Sequence, residues 1–155
     1  MNNVQFFEAK IAEDVLMGEN IKIVKPCNLY GCTLGSDIFI GPFVEIQKNT
    51  MIGSGTKVQS HTFICELVTI GANCFIGHGV MFINDLFSKG SPAMGDTSLW
   101  KETIIGDGVS IGSNATILPV KVVNNVVIGA GAVVTKDILE PGVYVGNPAT
   151  KLRNL

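Results

Sequence analysis

Charge is scarce in this 155-residue chain: 15% of its residues are charged against 46% hydrophobic, and its 11 basic side chains are outnumbered by 13 acidic ones. A formal net charge of −2 leaves no basic face to meet a polyanion, so nucleic acid is not an expected partner. Aromatic residues reach only 7%, with a single Trp, so any core must be built from aliphatic side chains. No stretch approaches the roughly 20 apolar residues of a membrane span. The opening MNNVQFFEAKIAEDV places Glu8, Lys10 and Glu13 where a secretory signal needs an uninterrupted apolar run. Cys27, Cys32, Cys65 and Cys74 form no CxxC pair and nothing indicates an exported chain, so reduced thiols in or near the core of a cytoplasmic protein are expected. Histidine occurs only as His61 and His78, one short of a three-histidine zinc centre, and no metal is expected.

Glycine, by contrast, is abundant at 18 residues, and the aliphatic residues keep a strict count. Leu34, Ile40, Ile46, Ile52, Val58, Ile64, Ile70, Ile76 and Phe82 fall at every sixth position. Neither a 3.6-residue helix nor plain strand alternation selects such a set. Two positions earlier sit Cys32, Ile38, Val44, Thr50, Thr56, Thr62, Val68, Cys74 and Val80, and a glycine often follows the aliphatic residue. Each unit therefore reads as a short strand and a sharp corner. Ile11, Met17, Ile23 and Leu29 extend the count upstream; Leu99, Ile105, Ile111, Ile117, Val123, Ile128 and Val134 extend it downstream, with five-residue steps before Leu34 and Ile128. Three strands and three corners close a coil of about eighteen residues, and stacked coils bury a continuous core as repeat proteins do. Roughly six to seven coils are expected in one domain spanning 1–155, with end caps over the first dozen residues and about 137–155. The one long interruption, about 84–98, is expected to be a loop thrown out from one edge.

The segments TIGANCFIGHGVMF, IIGDGVSIGSNATILP and VVIGAGAVVTKDILEPGVYVGNPATKL resemble the hexapeptide-repeat acyltransferases over almost the whole chain. The resemblance implies an all-β fold, a left-handed parallel β-helix with one protruding loop and a short C-terminal cap, assembled as a homotrimer with acyl-CoA and acceptor between subunits. CNLYGCTLGSDIFIGPFVEIQKN, SHTFICELVTIG and GHGVMFIND are similar to the branch that N-acetylates a 3-amino group on dTDP- or UDP-linked deoxyamino sugars for surface polysaccharides such as lipopolysaccharide. Serine and maltose O-acetyltransferases share much of the C-terminal segment, so an O-acetyltransferase is the main alternative. A non-catalytic β-helix scaffold is a lower one.

Coil arithmetic places polar residues on edges. Lys48, Glu66 and Asn84 recur at intervals of eighteen, as do Ser60 and His78, with His61 next to Ser60. Acyl transfer to an amine needs a proton acceptor near neutral pH, and histidine is the natural one. His78 is the first candidate base and His61, expected to bind substrate, the second. Asn84, with Asp85 and Glu66, is expected to hold the sugar amine and its neighbouring hydroxyls. Each has a plainer reading too: a histidine bonded across a corner, or an Asn-Asp pair closing its own turn. The resemblance points to the C-terminal coils for acetyl-CoA, where Gly112, Ala130 and Gly131 leave room for pantetheine and Lys136, Lys151 and Arg153 are candidates for its phosphates.

Overall fold

The computed structural model describes residues 8–155, so the outer part of the expected N-terminal cap lies outside the described residues. Short strands wind through six coils, each coil giving one strand to each of three faces. The first face stacks Leu16–Met17, Thr33–Leu34, Met51–Ile52, Val68–Ile70, Thr103–Ile105 and Lys121–Val122. The second stacks Lys22–Ile23, Phe39–Ile40, Lys57–Val58, Phe75–Ile76, Ser110–Ile111 and Val126–Ile128. The third stacks Asn28–Leu29, Glu45–Ile46, Phe63–Ile64, Met81–Phe82, Thr116–Ile117 and Val133–Val134. Pairing from coil to coil is parallel and in register, aliphatic on aliphatic: Ile40 opposite Val58, and Val58 opposite Ile76. The fold is a left-handed parallel β-helix.

Alternation within each unit explains the core. The ladder residue and the residue two before it point inward, and the one between points out. Leu29, Ile40, Ile46, Val58, Ile64, Ile76, Phe82, Ile111 and Ile117 are fully buried, as are the corner residues Cys32, Ile38, Val44, Val80 and Val109. Threonine fits the corner because its hydroxyl reaches the next coil: Thr50, Thr56 and Thr62 donate to the carbonyls of Cys65, Gly71 and Gly77 at 2.9–3.1 Å. The outer turn at each corner needs left-handed backbone. Asn20, Asp37, Gly55, Asn73, Gly108 and Asn125 take it between the first and second faces, and Phe43, His61, Gly79, Asn114 and Gly131 between the second and third. Asparagine and glycine dominate these columns because they tolerate that region best. All four cysteines are buried and free.

Two positions depart from the aliphatic count. Leu99 is not a ladder residue; it ends a one-turn 3-10 helix, Thr97–Leu99, capped by Asp96. The first face resumes at Thr103–Ile105, with Ile70 opposite Ile105, so this coil returns after 35 positions where others take 17 or 18. The insertion therefore adds 17 or 18 residues (35 less 18 or 17) within the connection 83–102, more than the expected 84–98. Val123 also yields its place: Val122 is buried and opposes Ile105. The five-residue step thus falls before Val122, not before Ile128.

At the C-terminal end Ile138 bridges to Val122. Gly142–Val145 then continues the second face in parallel, and Thr150–Arg153 folds back antiparallel upon it. At the other end Ile11 bridges to Leu29, while Leu16, Met17 and Val24 of the first coil stay exposed.

Candidate functional site

The edge between the second and third faces gathers both histidines. The Gly79 amide donates to the Ser60 carbonyl at 2.9 Å, the Asn114 amide to His78 at 2.8 Å, and the Gly131 amide to Ser113 at 2.9 Å. Ser60-His61, His78-Gly79, Ser113-Asn114 and Ala130-Gly131 are thus stacked one coil above another. His61 and His78 are exposed, and the His61 ring stacks on Phe43 with centroids 4.8 Å apart. Neither imidazole is ion-paired with a carboxylate among the described residues. Above them the column is small. Ala130 and Gly131 are exposed, and nothing lies within 4 Å of where a Gly131 side chain would start. Gly112 has a packing origin of its own: a β-carbon there would stand 2.4 Å from the Ala130 nitrogen.

The edge between the third and first faces carries the other group. Lys48 Nζ lies 3.7 Å from Glu66 Oε1, and Asn84 Nδ2 donates to the Glu66 carbonyl at 3.2 Å, so the Lys48, Glu66, Asn84 column is physical. It joins residues that the coil arithmetic passed over. Gln47 donates to Glu45 Oε1 at 3.1 Å and accepts from the Glu66 amide at 3.3 Å, while the Tyr30 hydroxyl donates to Glu45 at 3.4 Å. Burial, then the neighbouring Glu45 carboxylate, pushes the Tyr30 phenol up. Their signal was present: Tyr30 and Gln47 recur at the coil interval, as Asn28, Glu45 and Phe63 do.

The insertion springs from this same edge. Its root is closed by Lys101 donating to the Asn84 carbonyl at 2.9 Å. Both Asp85 oxygens are taken by the loop's own backbone: Oδ1 by the Phe87 amide at 2.9 Å and Oδ2 by the Ala93 amide at 2.7 Å. Asp85 therefore organises the loop first. Leu86, Phe87 and Met94 project outward, Met94 at 89% exposure.

His78 and Asn84 stand at opposite ends of one strand on the third face, up to about 20 Å apart at ~3.3 Å per residue. One subunit alone does not bring them together. The basic candidates are also dispersed. Lys136 is exposed just beyond Val133–Val134, Lys151 pairs with Glu140 at 3.0 Å, and the Arg153 guanidinium donates to the Asn154 carbonyl. Among the described residues no three of His, Cys, Asp and Glu are placed to share a metal ion, and no helix is long and apolar enough to cross a membrane. Burial pushes the Cys32 thiol up to about 11 and the Cys65 thiol to about 12, which suppresses the thiolate needed for nucleophilic chemistry.

Comparison with known proteins agrees with the fold. A family profile described as "Hexapeptide repeat of succinyl-transferase" matches residues 67–81 and 102–136. The Bifunctional protein GlmU of Acinetobacter baumannii is 36% identical over 132 residues, covering 84% of this chain and 26% of that protein. The chain thus spans about a quarter of the length of the curated relatives it matches. Among solved structures, a variant of perosamine N-acetyltransferase from Caulobacter crescentus, in complex with CoA and GDP-perosamine, superposes with a TM-score of 0.66 at 18% identity, over 91% of this chain and 54% of that one. A hexapeptide-repeat acetyltransferase of Vibrio cholerae complexed with acetyl coenzyme A gives 0.62 at 22% identity, over 92% and 71%. At these identities the two structures speak to the fold.

Proposed function

The chain belongs to the hexapeptide-repeat family of left-handed β-helix acyltransferases, and from that premise we propose that it transfers an acetyl group from acetyl-CoA to an amine, at C3, of a dTDP- or UDP-linked deoxyamino sugar. The observation that carries the reading is the shared edge. Two exposed histidines sit directly beneath a column of small residues, Ser113, Ala130 and Gly131, that leaves an extended pantetheine room to lie along the coils. Relatives of the same fold are complexed with CoA and GDP-perosamine, or with acetyl coenzyme A.

In this reading the thioester carbonyl lies beside His78. The neutral sugar amine attacks it, a C–N bond forms, the C–S bond breaks, and the thiolate of CoA leaves. His78 accepts the proton that the nitrogen sheds, with His61 behind it. Holding amine and thioester in line supplies much of the rate, because orientation replaces a bimolecular encounter. Asn84 and Glu66 do the holding from a neighbouring subunit of a cyclic homotrimer, whose heterologous contacts bring one edge against another. The exposed apolar tip of the loop, Leu86, Phe87 and Met94, suits contact with that neighbour. Lys136 serves the phosphates of CoA; Lys151 does so only by leaving Glu140.

A panel of dTDP- and UDP-linked 3-amino and 4-amino sugars with acetyl-CoA, followed by free-thiol release, tests the proposal. Turnover with a 3-amino sugar supports it. Turnover only with hydroxyl acceptors overturns it in favour of O-acetylation, a reaction that depends far more on a base and that His78→Ala would nearly abolish.

A further inference from the structure

The second face carries an open groove that none of the chemistry above uses. It encloses about 540 Å³ across the first three coils, lined by Asn20, Lys22, Asp37, Phe39, Lys57 and Gln59. Its floor follows from strand register: Lys22 opposes Phe39, and Phe39 opposes Lys57. All three are the outward residues of their strands. A half-buried phenylalanine therefore lies between two lysines whose strands stack at successive steps of about 4.8 Å. Among the described residues neither lysine is within ion-pair distance of a carboxylate. The one acidic side chain in the groove, Asp37, accepts a hydrogen bond from Asn20 Nδ2 at 3.1 Å. In a chain of net negative charge, two unpaired lysines flanking an aromatic ring are not a typical solvated surface.

We infer that this groove binds the nucleoside diphosphate part of the acceptor, an inference that rests on the acetyl-transfer reading and names where its substrate is held. Each component has a counterpart. The diphosphate meets Lys22 and Lys57 through charge-assisted hydrogen bonds. The base stacks on Phe39, as bases do on exposed aromatic side chains. Gln59 offers both an amide donor and an acceptor, the complement of the N3–H and carbonyl edge of uracil or thymine. The Asn20–Asp37 pair at the adjoining corner can accept from ribose hydroxyls. Position favours the acceptor over the other nucleotide in the reaction, CoA. Gln59 leads directly into Ser60-His61 on the histidine edge, whereas Ala130 and Gly131 lie about three coils away, ~14 Å at that spacing.

Calorimetric titration with UDP, dTDP and CoA, each alone and without any sugar or acetyl donor, tests the assignment on the intact chain and on Lys22→Gln, Lys57→Gln and Phe39→Leu. All three positions are on the surface side of their strands, and circular dichroism verifies that the variants fold. The expected result is binding of a pyrimidine diphosphate by the parent chain, weakened about tenfold or more by each lysine substitution and less by Phe39→Leu, with CoA affinity unchanged. The assignment is overturned if the parent binds neither nucleotide, if the variants bind UDP and dTDP as the parent does, or if CoA affinity falls in place of theirs. Because no acetyl transfer is measured, a negative result here leaves the thiol-release test of the activity standing by itself.

Discussion

Gly112 is glycine for want of space. An added β-carbon would meet the Ala130 backbone nitrogen at 2.4 Å, where neither coil can yield without breaking register. Gly112→Ala is expected to lower stability by about 1–3 kcal/mol, the usual cost of overpacking, read as a fall in the thermal midpoint. An unchanged midpoint would refute the close-approach account and return Gly112 to a purely cofactor-facing role. The buried thiols give a second residue-level expectation. In the folded protein Cys32 and Cys65 hold their protons up to about 11 and 12, against 9.0 for a free thiol. Above pH 9 the unfolded chain releases protons that the native state keeps, so their contribution is fully present below pH 9 and is lost as pH rises towards 12. Urea midpoints at pH 7.5 and pH 10.5 should therefore separate more in the parent chain than in Cys65→Ala. Equal separation would mean that the Cys65 thiol ionises freely.

At the level of the element, the insertion behaves as a unit with its own closure. Asp85→Ala removes the acceptors of two loop amides, Phe87 and Ala93, yet touches no coil-to-coil bond. Faster proteolytic cleavage between 86 and 98 is expected, with a thermal midpoint within a few degrees of the parent; a large drop in the midpoint would tie the loop to the prism's stability. The same element marks the limit of what periodicity reveals. From Leu34 to Phe82 every counted residue is a buried strand residue, because the coil requires an aliphatic group every sixth position. After Phe82 the count fails, because Leu99 lies six before Ile105 by coincidence and is spent in a 3-10 turn capped by Asp96. Val122 and Val123 are chemically identical, and only pairing against Ile105 chooses between them. For the candidate site, column arithmetic foresaw Lys48–Glu66–Asn84 and the stacking of Ser60-His61 under His78, since both follow from the coil length. The plainer reading of the Asn-Asp pair holds for Asp85, which is occupied by its own loop, whereas column arithmetic does not reveal that Tyr30, Glu45 and Gln47 join the network, since side-chain reach is not periodic.

For the whole molecule the decisive fact is that the two candidate clusters lie on different edges of one prism. A triangular prism cannot fold one edge onto another, so a site that uses both must combine edges of two subunits, and a cyclic assembly supplies as many such sites as subunits. Light scattering should then give about three times the 16.5 kDa chain mass. A stronger test mixes two inactive variants. Ala130→Trp puts a bulky group on an exposed position of the histidine edge and is expected to block the pantetheine path proposed there. Asn84→Ala disables the other edge. If each site takes its histidine edge from one subunit and Asn84 from the next, trimers reassembled from an equal mixture contain intact sites at about one interface in four, the product of two even chances at each heterologous contact. About a quarter of parental thiol release is expected from the mixture, against little from either variant alone. Were each site built within one chain, every chain would carry one defect and the mixture would stay as inactive as its components.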